Sequence, residues 1–327
     1  METAILNTPI QILDNILALN LNISLWSARK KLTVEDFGGV ELPPDDLASL
    51  GSKKICDPVR INVFTKLKAR AVNLLDKHGV RFLSGWAIPE DKAGEIIQGL
   101  CEIRDEFLME KQNFLNDYDT AIAAWIQKHP SWASIIENST VSREYVDLRM
   151  GFHWQLYRVF PAAGLESDIA MTESGLHEEV ENLGNTLFSE IAKEASEVWK
   201  KVFEGKTEVT HKALSPLKTM RNKLAGLSFI NPNAEPAIAM IDTAIENMPK
   251  RGNLCGNDLL TLQGLVCLLK DKDALIHQTQ AILSSPAEEN TLDGLFGGFH
   301  MNAPILKLPP ETTPVPSVPC LDSMGLW

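Results

Sequence analysis

The sequence predicts a mainly α-helical protein with a small β element near its N-terminus, an α+β fold in which helices dominate. Three observations support this. Leucines alternate with polar residues near the start, two long stretches space their apolar residues by three, four or seven, and the C-terminal end is rich in proline. The four predicted segments are a small α/β module (1–89), a long antiparallel helical hairpin of coiled-coil type with short helices at its tip (90–210), a helical region (211–285) and a flexible Pro-rich tail (286–327).

The composition is typical of a globular protein that works in the cytoplasm. Of its 327 residues, 44% are hydrophobic and 23% are charged, and the five widely spaced cysteines form no CxxC pair. The N-terminus lacks the pattern of a signal peptide, and no apolar run is long enough to cross a bilayer. A net charge of −12 argues against nonspecific coating of nucleic acid or anionic membrane by the whole surface, so we expect no membrane association.

The N-terminal module is predicted to contain two strands around one helix. Leucine or isoleucine occupies every second position over residues 17–25, which is the period of a strand buried on one face. A helix from about Arg60 to His78 carries an apolar stripe, and Gly79 stands where a left-handed C-terminal cap is expected. Residues 80–89 are predicted to form the second strand.

Two long amphipathic helices are predicted to pair with each other as the antiparallel hairpin. The first carries a heptad-like apolar seam from Glu90 to Pro130. The second runs from about Glu173 to Glu204 and is charged on its other faces. Because the two helices are similar in length and belong to one chain, an intramolecular pair is the simplest arrangement. Residues 131–165 would form shorter helices at its tip.

Proline and polar residues mark the helix starts of the C-terminal region. Ser215 is predicted to cap a helix whose first residue is Pro216, and Pro236 repeats this arrangement. A last helix is predicted to begin near Asn257 and to break near Asp271. From residue 303 onward the tail holds six prolines and is therefore expected to run extended.

Basic residues concentrate in the N-terminal module. Its first 88 residues carry 11 Lys and Arg against 9 Asp and Glu, a net charge of +2 in an otherwise acidic chain. The candidate binding residues are a triplet and three cations on one face of the predicted helix: Arg29, Lys30, Lys31, Lys66, Arg70 and Lys77. Such a surface suits a nucleic-acid backbone or the acidic face of a partner protein. The alternative is an ordinary solvated polar face.

The end of the tail is a second candidate binding element. Met324, Leu326 and Trp327 give it an apolar tip, and a groove on a partner protein could capture such a tip while the proline-rich segment provides reach. The alternative is simple disorder.

The sequence contains no recognisable catalytic or metal-binding motif. The stretch HEEVE (177–181) has Glu where a zinc-protease helix needs a second His. The glycines of DGLFGGFH (293–300) lack the order of a phosphate-binding loop, and no cysteine has a visible histidine partner. We therefore expect no enzymatic activity and no cofactor.

The stretches SLWSARKKL (24–32) and LLDKHGVRFLSGWAIP (74–89) resemble an uncharacterised domain-of-unknown-function family of bacterial, plasmid and phage proteins. The resemblance covers about residues 15–250, and the positions that carry it are Trp26, Arg29, Lys30, Leu32, Gly79, Gly85, Trp86 and Pro89. The family has Gly before the Arg-Lys pair, where this chain has Ala28. The resemblance implies a protein of a mobile element or phage, encoded near genes for MoxR-type AAA+ ATPases and von Willebrand A-domain proteins. It supplies no catalytic residue.

The expected function is that of a non-enzymatic scaffold or adaptor. A long hairpin would hold two surfaces apart, and the family resemblance implies an AAA+ ATPase as the protein partner. The alternative function is a nucleic-acid-binding accessory protein that uses the basic N-terminal module. The sequence leaves the oligomeric state open.

Overall fold

The alternating leucines near the N-terminus form the central part of a four-stranded antiparallel sheet. A computed structural model of the chain describes residues 9–37, 51–160 and 170–284. The strands of the sheet are β1 (Ile16–Ser24), β4 (Val80–Phe82), β5 (Gly85–Pro89) and β6 (Gly151–Tyr157), in the order β4-β5-β1-β6. Leu19 of β1 lies opposite Trp86 on one side and Leu156 on the other. Alternate residues from Leu17 to Ile23 of β1, and Leu25 just after it, belong to or pack against one hydrophobic core, as the sequence predicts. Ile16 and Ala18 on the other face of the strand are also buried.

Helices make up most of the rest of the described chain. The α-helices are α1 (Pro9–Asp14), α2 (Pro58–His78), α3 (Ala93–Asn116), α4 (Tyr118–Lys128), α5 (Ala133–Glu137), α6 (Arg143–Arg149), α7 (Ala170–Glu181), α8 (Leu183–Val198), α9 (Leu214–Gly226), α10 (Ala234–Glu246), α11 (Gly256–Leu269) and α12 (Lys272–Ser284). A π-helical turn (Trp199–Phe203) follows α8. Four further short strands pair as β2 (Arg29–Lys31) with β3 (Ser52–Lys54) and as β7 (Glu208–Val209) with β8 (Leu254–Cys255). A mainly helical fold with a small β element is therefore confirmed.

Helix α2 is the central element of the N-terminal half. Its start is capped by Asp57, whose carboxylate accepts a hydrogen bond of 3.0 Å from the Val59 amide, and Pro58 occupies the first turn. Its buried stripe includes Phe64 and packs against α3, where the Phe64 and Phe107 rings meet edge to face with centroids 5.2 Å apart. One hydrophobic core thus joins residues on both sides of the boundary predicted at residue 89.

The predicted long antiparallel hairpin is wrong. The first long helix stops at Asn116 and restarts as α4, and its longer part, α3, packs chiefly against α2. The second is divided into α7 and α8, and α8 packs against β4, α9 and α11. The seven-residue spacing of α3 identifies its apolar face but does not show which element packs against that face. The apolar stripe of α2, which is close to α3 in the chain, packs against it.

The segment predicted to form short helices at the tip does so in part, as α5 and α6. Residues 151–157 differ, because they form strand β6, which pairs with β1 along seven residues. The alternation of Phe152, Trp154 and Leu156 with polar residues carries this strand signal. The sequence analysis nevertheless predicts helix here, because the segment lies between two predicted helices. Its partner strand β1 lies some 130 residues earlier, and local sequence does not indicate such a distant pairing.

The second predicted strand is in fact a hairpin whose glycines serve close packing. A tight turn at Leu83 and Ser84 separates β4 from β5. Gly79 does not adopt the expected left-handed conformation; it is extended (φ −121°, ψ 173°), and its amide donates to the Leu75 carbonyl at 2.8 Å. A Cβ at Gly79 would lie 2.8 Å from the Ala87 carbonyl oxygen. Glycine is therefore required at position 79 because the Ala87 backbone lies too close for a side chain, and not because of the dihedral angles.

The C-terminal helices begin close to where the prolines predict them. Helix α9 begins at Leu214, ahead of the predicted cap Ser215, and α10 begins two residues before Pro236. The break predicted near Asp271 is confirmed between α11 and α12, where its carboxylate accepts hydrogen bonds from the amides of Asp273 and Ala274. The residues predicted to form the extended tail lie outside the described part of the chain.

A buried lysine joins the two halves of the described structure at the C-terminal end of α2. Lys223 of α9 is 4% exposed, and its ammonium donates to the Asp76 carbonyl at 2.6 Å and to the Glu190 carboxylate of α8 at 2.7 Å. The other oxygen of Glu190 accepts from the Arg81 amide of β4 at 3.0 Å. Because Asp76 belongs to the last turn of α2, the ammonium also satisfies a carbonyl that the helix leaves unpaired. We call Lys223, Glu190 and the Asp76 carbonyl the junction.

Substitution of Lys223 by Met should lower the free energy of unfolding by about 3 kcal/mol, because it leaves the Glu190 carboxylate half-buried without its charge partner. Adding Glu190→Leu should recover much of that loss. Chemical denaturation of the two single variants and the double variant measures the coupling between the residues.

The exposed pair Lys201 and Glu197 provides the matched control, since its nitrogen and oxygen also lie within hydrogen-bond distance at 2.8 Å. Lys201→Met should cost less than about 0.5 kcal/mol. Additive effects of the Lys223 and Glu190 substitutions would contradict the role of the junction.

Candidate nucleic-acid interface

The basic triplet identified in the sequence lies on a two-stranded antiparallel ribbon. Strand β2 supplies Arg29, Lys30 and Lys31, and β3 pairs with it so that Arg29 lies opposite Lys54 and Lys30 lies opposite Lys53. Five of the six residues in the two strands are therefore cations. We call β2 and β3 together the basic ribbon.

The ribbon is fixed to the core on both sides. Trp26 and Ile55, which flank its strands, are buried, and the Ile55 amide donates to the Ala28 carbonyl at 2.9 Å. The indole nitrogen of Trp125 in α4 donates to the Lys54 carbonyl at 3.1 Å. These contacts hold the ribbon backbone in place, while the side chains of Arg29, Lys30, Lys31 and Lys54 are exposed to solvent.

Ala28 starts the ribbon in a left-handed conformation, with φ at +53°. This region of backbone space costs an L-residue roughly 1 kcal/mol, and glycine adopts it without that cost. A glycine at position 28 would therefore remove this backbone strain and leave the basic side chains unchanged.

The cations of the ribbon differ in how their charge is compensated. Lys53 forms an ion pair with Asp36, and together with the Thr33 amide it holds the pKa of that carboxyl below its ordinary value. Among the described residues, the side chains of Arg29, Lys31 and Lys54 have no hydrogen-bond or ion-pair partner. Like charges directly opposite each other across a ladder destabilise it. The Arg29–Lys54 pair therefore works against the stability of the ribbon.

A small cavity of about 170 Å³ lies at the base of the ribbon. Among the described residues, its charged lining consists of Arg29, Lys30 and Arg149 and includes no carboxylate. Tyr145 also lines the cavity, with its ring beneath the Arg149 guanidinium at 5.1 Å. The cavity therefore offers three positive groups and an aromatic ring to a ligand from solvent.

The other predicted binding residues do not join the ribbon. Lys66, Arg70 and Lys77 are exposed on one face of α2, as expected, but Arg70 is paired with Glu106 at 2.5 Å. Lys77 belongs to the last turn of the helix, roughly 30 Å from its first residue at about 1.5 Å per residue. Since the ribbon directly precedes α2, and Lys66 and Arg70 lie in its middle turns, the predicted basic residues are spread along the whole length of this helix.

Lys54 and Arg149 are the site residues that sequence reasoning did not select. The lysines at 53 and 54 were visible as a basic pair, but their pairing with the triplet depends on a connection of about 20 residues. Arg149 lies in the segment predicted to form the hairpin tip and gave no signal of its own. The candidate docking residues Met324, Leu326 and Trp327 lie outside the described residues.

The described residues were also compared with the requirements of a metal site and of a membrane-spanning helix. No group of three His, Cys, Asp or Glu residues in the described part of the chain is arranged to hold a metal ion. Among the helices described, none combines the length and hydropathy that a bilayer crossing requires.

Comparison with known proteins gives one match. The sequence model of a family described as "Protein of unknown function (DUF3150)" matches residues 13–271 and so covers the ribbon, the sheet and most of the described helices. No curated protein and no solved structure matches the chain.

Substitution of Lys54 by Glu should stabilise the protein, because it turns a like-charge pair with Arg29 into an opposite-charge pair. The expected gain is roughly 0.5 kcal/mol in the free energy of unfolding at low salt. Denaturant unfolding at low and high salt measures it, and salt should reduce the gain.

Lys54→Gln is the matched control and should give a smaller gain, since it removes the repulsion without adding an attraction. A loss of stability in Lys54→Glu would show that the lysine supports the ribbon structurally.

Proposed function

The chain belongs to the DUF3150 family, and we propose that it binds the phosphate backbone of nucleic acid through its basic ribbon, as a non-enzymatic accessory protein. The proposal rests on one observation. The ribbon places Arg29 directly opposite Lys54, with Lys31 beside them, and gives none of the three a partner among the described residues. A negatively charged ligand would compensate these charges and remove their mutual repulsion.

The dimensions of the ribbon suit a chain of phosphates. Alternate residues of a strand lie on the same side at roughly 6.6 Å spacing, which is the relation between Arg29 and Lys31. Lys54 lies across the ladder from Arg29 at about 5 Å between Cβ atoms. Three cations thus form a compact triangle. A two-stranded ribbon is also narrow enough for the major groove of a duplex, which is about 12 Å wide.

The charge distribution limits the contact to this region. The chain as a whole carries −12, so most of its surface repels a polyanion. Arg149 extends the positive surface into the cavity at the base of the ribbon, where the described part of the wall contains no acidic residue. The proposed contact is therefore local, and it reads the backbone and not the base sequence.

The adaptor function expected from the sequence has lost its geometric support, because the long helices do not form a hairpin. Partnership with a MoxR-type AAA+ ATPase, and an origin in a mobile element or phage, stay predictions implied by the family resemblance alone. A nucleic-acid-binding accessory protein is compatible both with such an ATPase partner and with such an origin.

Binding should be measured by fluorescence anisotropy with a labelled single strand and with the duplex of the same sequence. If the ribbon cations each contact a phosphate, the logarithm of the affinity for duplex should fall with the logarithm of salt with a slope of about −3 to −4. Reversal of Arg29, Lys31 and Lys54 to Glu should weaken binding by more than about 100-fold, since three charge-assisted contacts of roughly 1 kcal/mol or more become repulsive.

A matched variant reverses three exposed lysines of the C-terminal half: Lys200, Lys212 and Lys250. It changes the net charge by the same amount and should weaken binding only slightly. Equal loss in both variants would show a response to net charge alone, and no binding by the wild type at low salt would refute the proposal.

A further inference from the structure

A second candidate site lies at the opposite end of α2. Helices α2, α8 and α9 and strand β4 enclose a cleft of about 600 Å³ beside the junction. The residues that line it are polar or charged, but the carbon atoms of their side chains make up more than half of its wall: Asn73, Asp76, Lys77, Arg81, Glu190, Lys193, Glu194, Glu197, Thr219 and Lys223. This volume is within the range of small-molecule sites, and such a mixed wall suits a ligand with both charged and apolar parts.

Most charges in the cleft are already paired within the protein. Lys223 is paired with Glu190, Arg81 with Asp76 at 3.2 Å, and Glu197 with Lys201. Arg81 is further fixed by the ring of Trp86, whose centroid lies 3.8 Å from the guanidinium carbon. These pairs leave few charged groups available to a ligand.

The remaining groups favour an anion. Lys77 of α2 and Lys193 of α8 line the cleft, and neither has a hydrogen-bond or ion-pair partner among the described residues, although the charge of Lys193 helps to lower the pKa of Glu197. Two positive charges therefore approach the same space from different helices.

Among the described residues of the lining, Glu194 is the one carboxyl without an ion pair. Burial raises its pKa above the ordinary value, Lys223 opposes that effect, and the neighbouring acids Glu197, Asp76 and Glu190 add to it. The two lysines without an ion pair therefore outnumber the one unpaired carboxyl in the described lining, which leaves positive charge for an anion.

The cleft continues into a smaller cavity of about 380 Å³ along α8. Arg81, Glu190 and Lys193 line both spaces. The second space is lined further by Asn182, Asn185, Thr186 and Ser189, and the carbon atoms of the lining side chains form most of its wall. It therefore suits the uncharged part of a ligand.

We infer that this cleft binds a small phosphate-bearing molecule, with Lys77 and Lys193 as the groups that contact the phosphate. A lysine ammonium binds phosphate as a compact point charge, and two of them from different helices hold it between the walls. The site is independent of the proposed nucleic-acid function, because the ribbon lies at the other end of α2.

Isothermal titration calorimetry with inorganic phosphate tests the inference, using the full chain at constant ionic strength maintained with chloride. The wild type should bind phosphate saturably. Lys77→Gln and Lys193→Gln should each weaken binding about tenfold, the loss expected for one charge-assisted hydrogen bond.

The double variant Lys200→Gln, Lys212→Gln is the matched control, since it removes two exposed lysines outside the cleft and should bind phosphate as the wild type does. The ribbon variant with Arg29, Lys31 and Lys54 reversed should also retain phosphate binding. Three results would overturn the inference. They are loss of phosphate binding in the ribbon variant, wild-type affinity for phosphate in the Lys77 and Lys193 variants, and no saturable phosphate binding by the wild type. Thermal unfolding of each variant confirms that it is folded.

Discussion

The packing of the apolar stripe of α2 against α3 is the interaction on which the rest of the structure depends. Phe64 and its neighbours bury one side of α2, and this leaves its opposite side to solvent and fixes where its ends lie. The N-terminal end follows the basic ribbon directly, and the C-terminal end meets Lys223 of α9. One helix of about 30 Å therefore positions both candidate sites and connects the two halves of the described chain.

The junction is a costly way to connect these halves. Burying the Lys223 ammonium removes it from water, and only the Glu190 carboxylate and the Asp76 carbonyl offset that loss. Well-packed apolar side chains in place of Lys223 and Glu190 would give similar stability, and their contact would depend less on the positions of individual atoms. The ion pair, however, connects α9 to both α2 and α8 through one side chain, and this side chain also lines the cleft.

Features with a local cause could be predicted from the sequence. The leucines of β1 and the stripe of α2 follow the periods of a strand and a helix, and the break at Asp271 follows from a side chain that caps the next helix. The hairpin prediction is wrong because a heptad-like spacing indicates that a helix has an apolar face but does not identify the element that packs against it. The triplet was visible as a cluster of charge, but its pairing with Lys54, and its separation from Lys77, depend on contacts distant in sequence.

Hydrogen exchange followed through a denaturant series tests most directly whether α2 and the junction make one cooperative body of the described chain. The amides of α3 in the N-terminal half and of α11 in the C-terminal half are compared in the same experiment. The account predicts that both helices lose protection at the same denaturant concentration. Loss of protection in α11 at a clearly lower concentration, with α3 still protected, would contradict it.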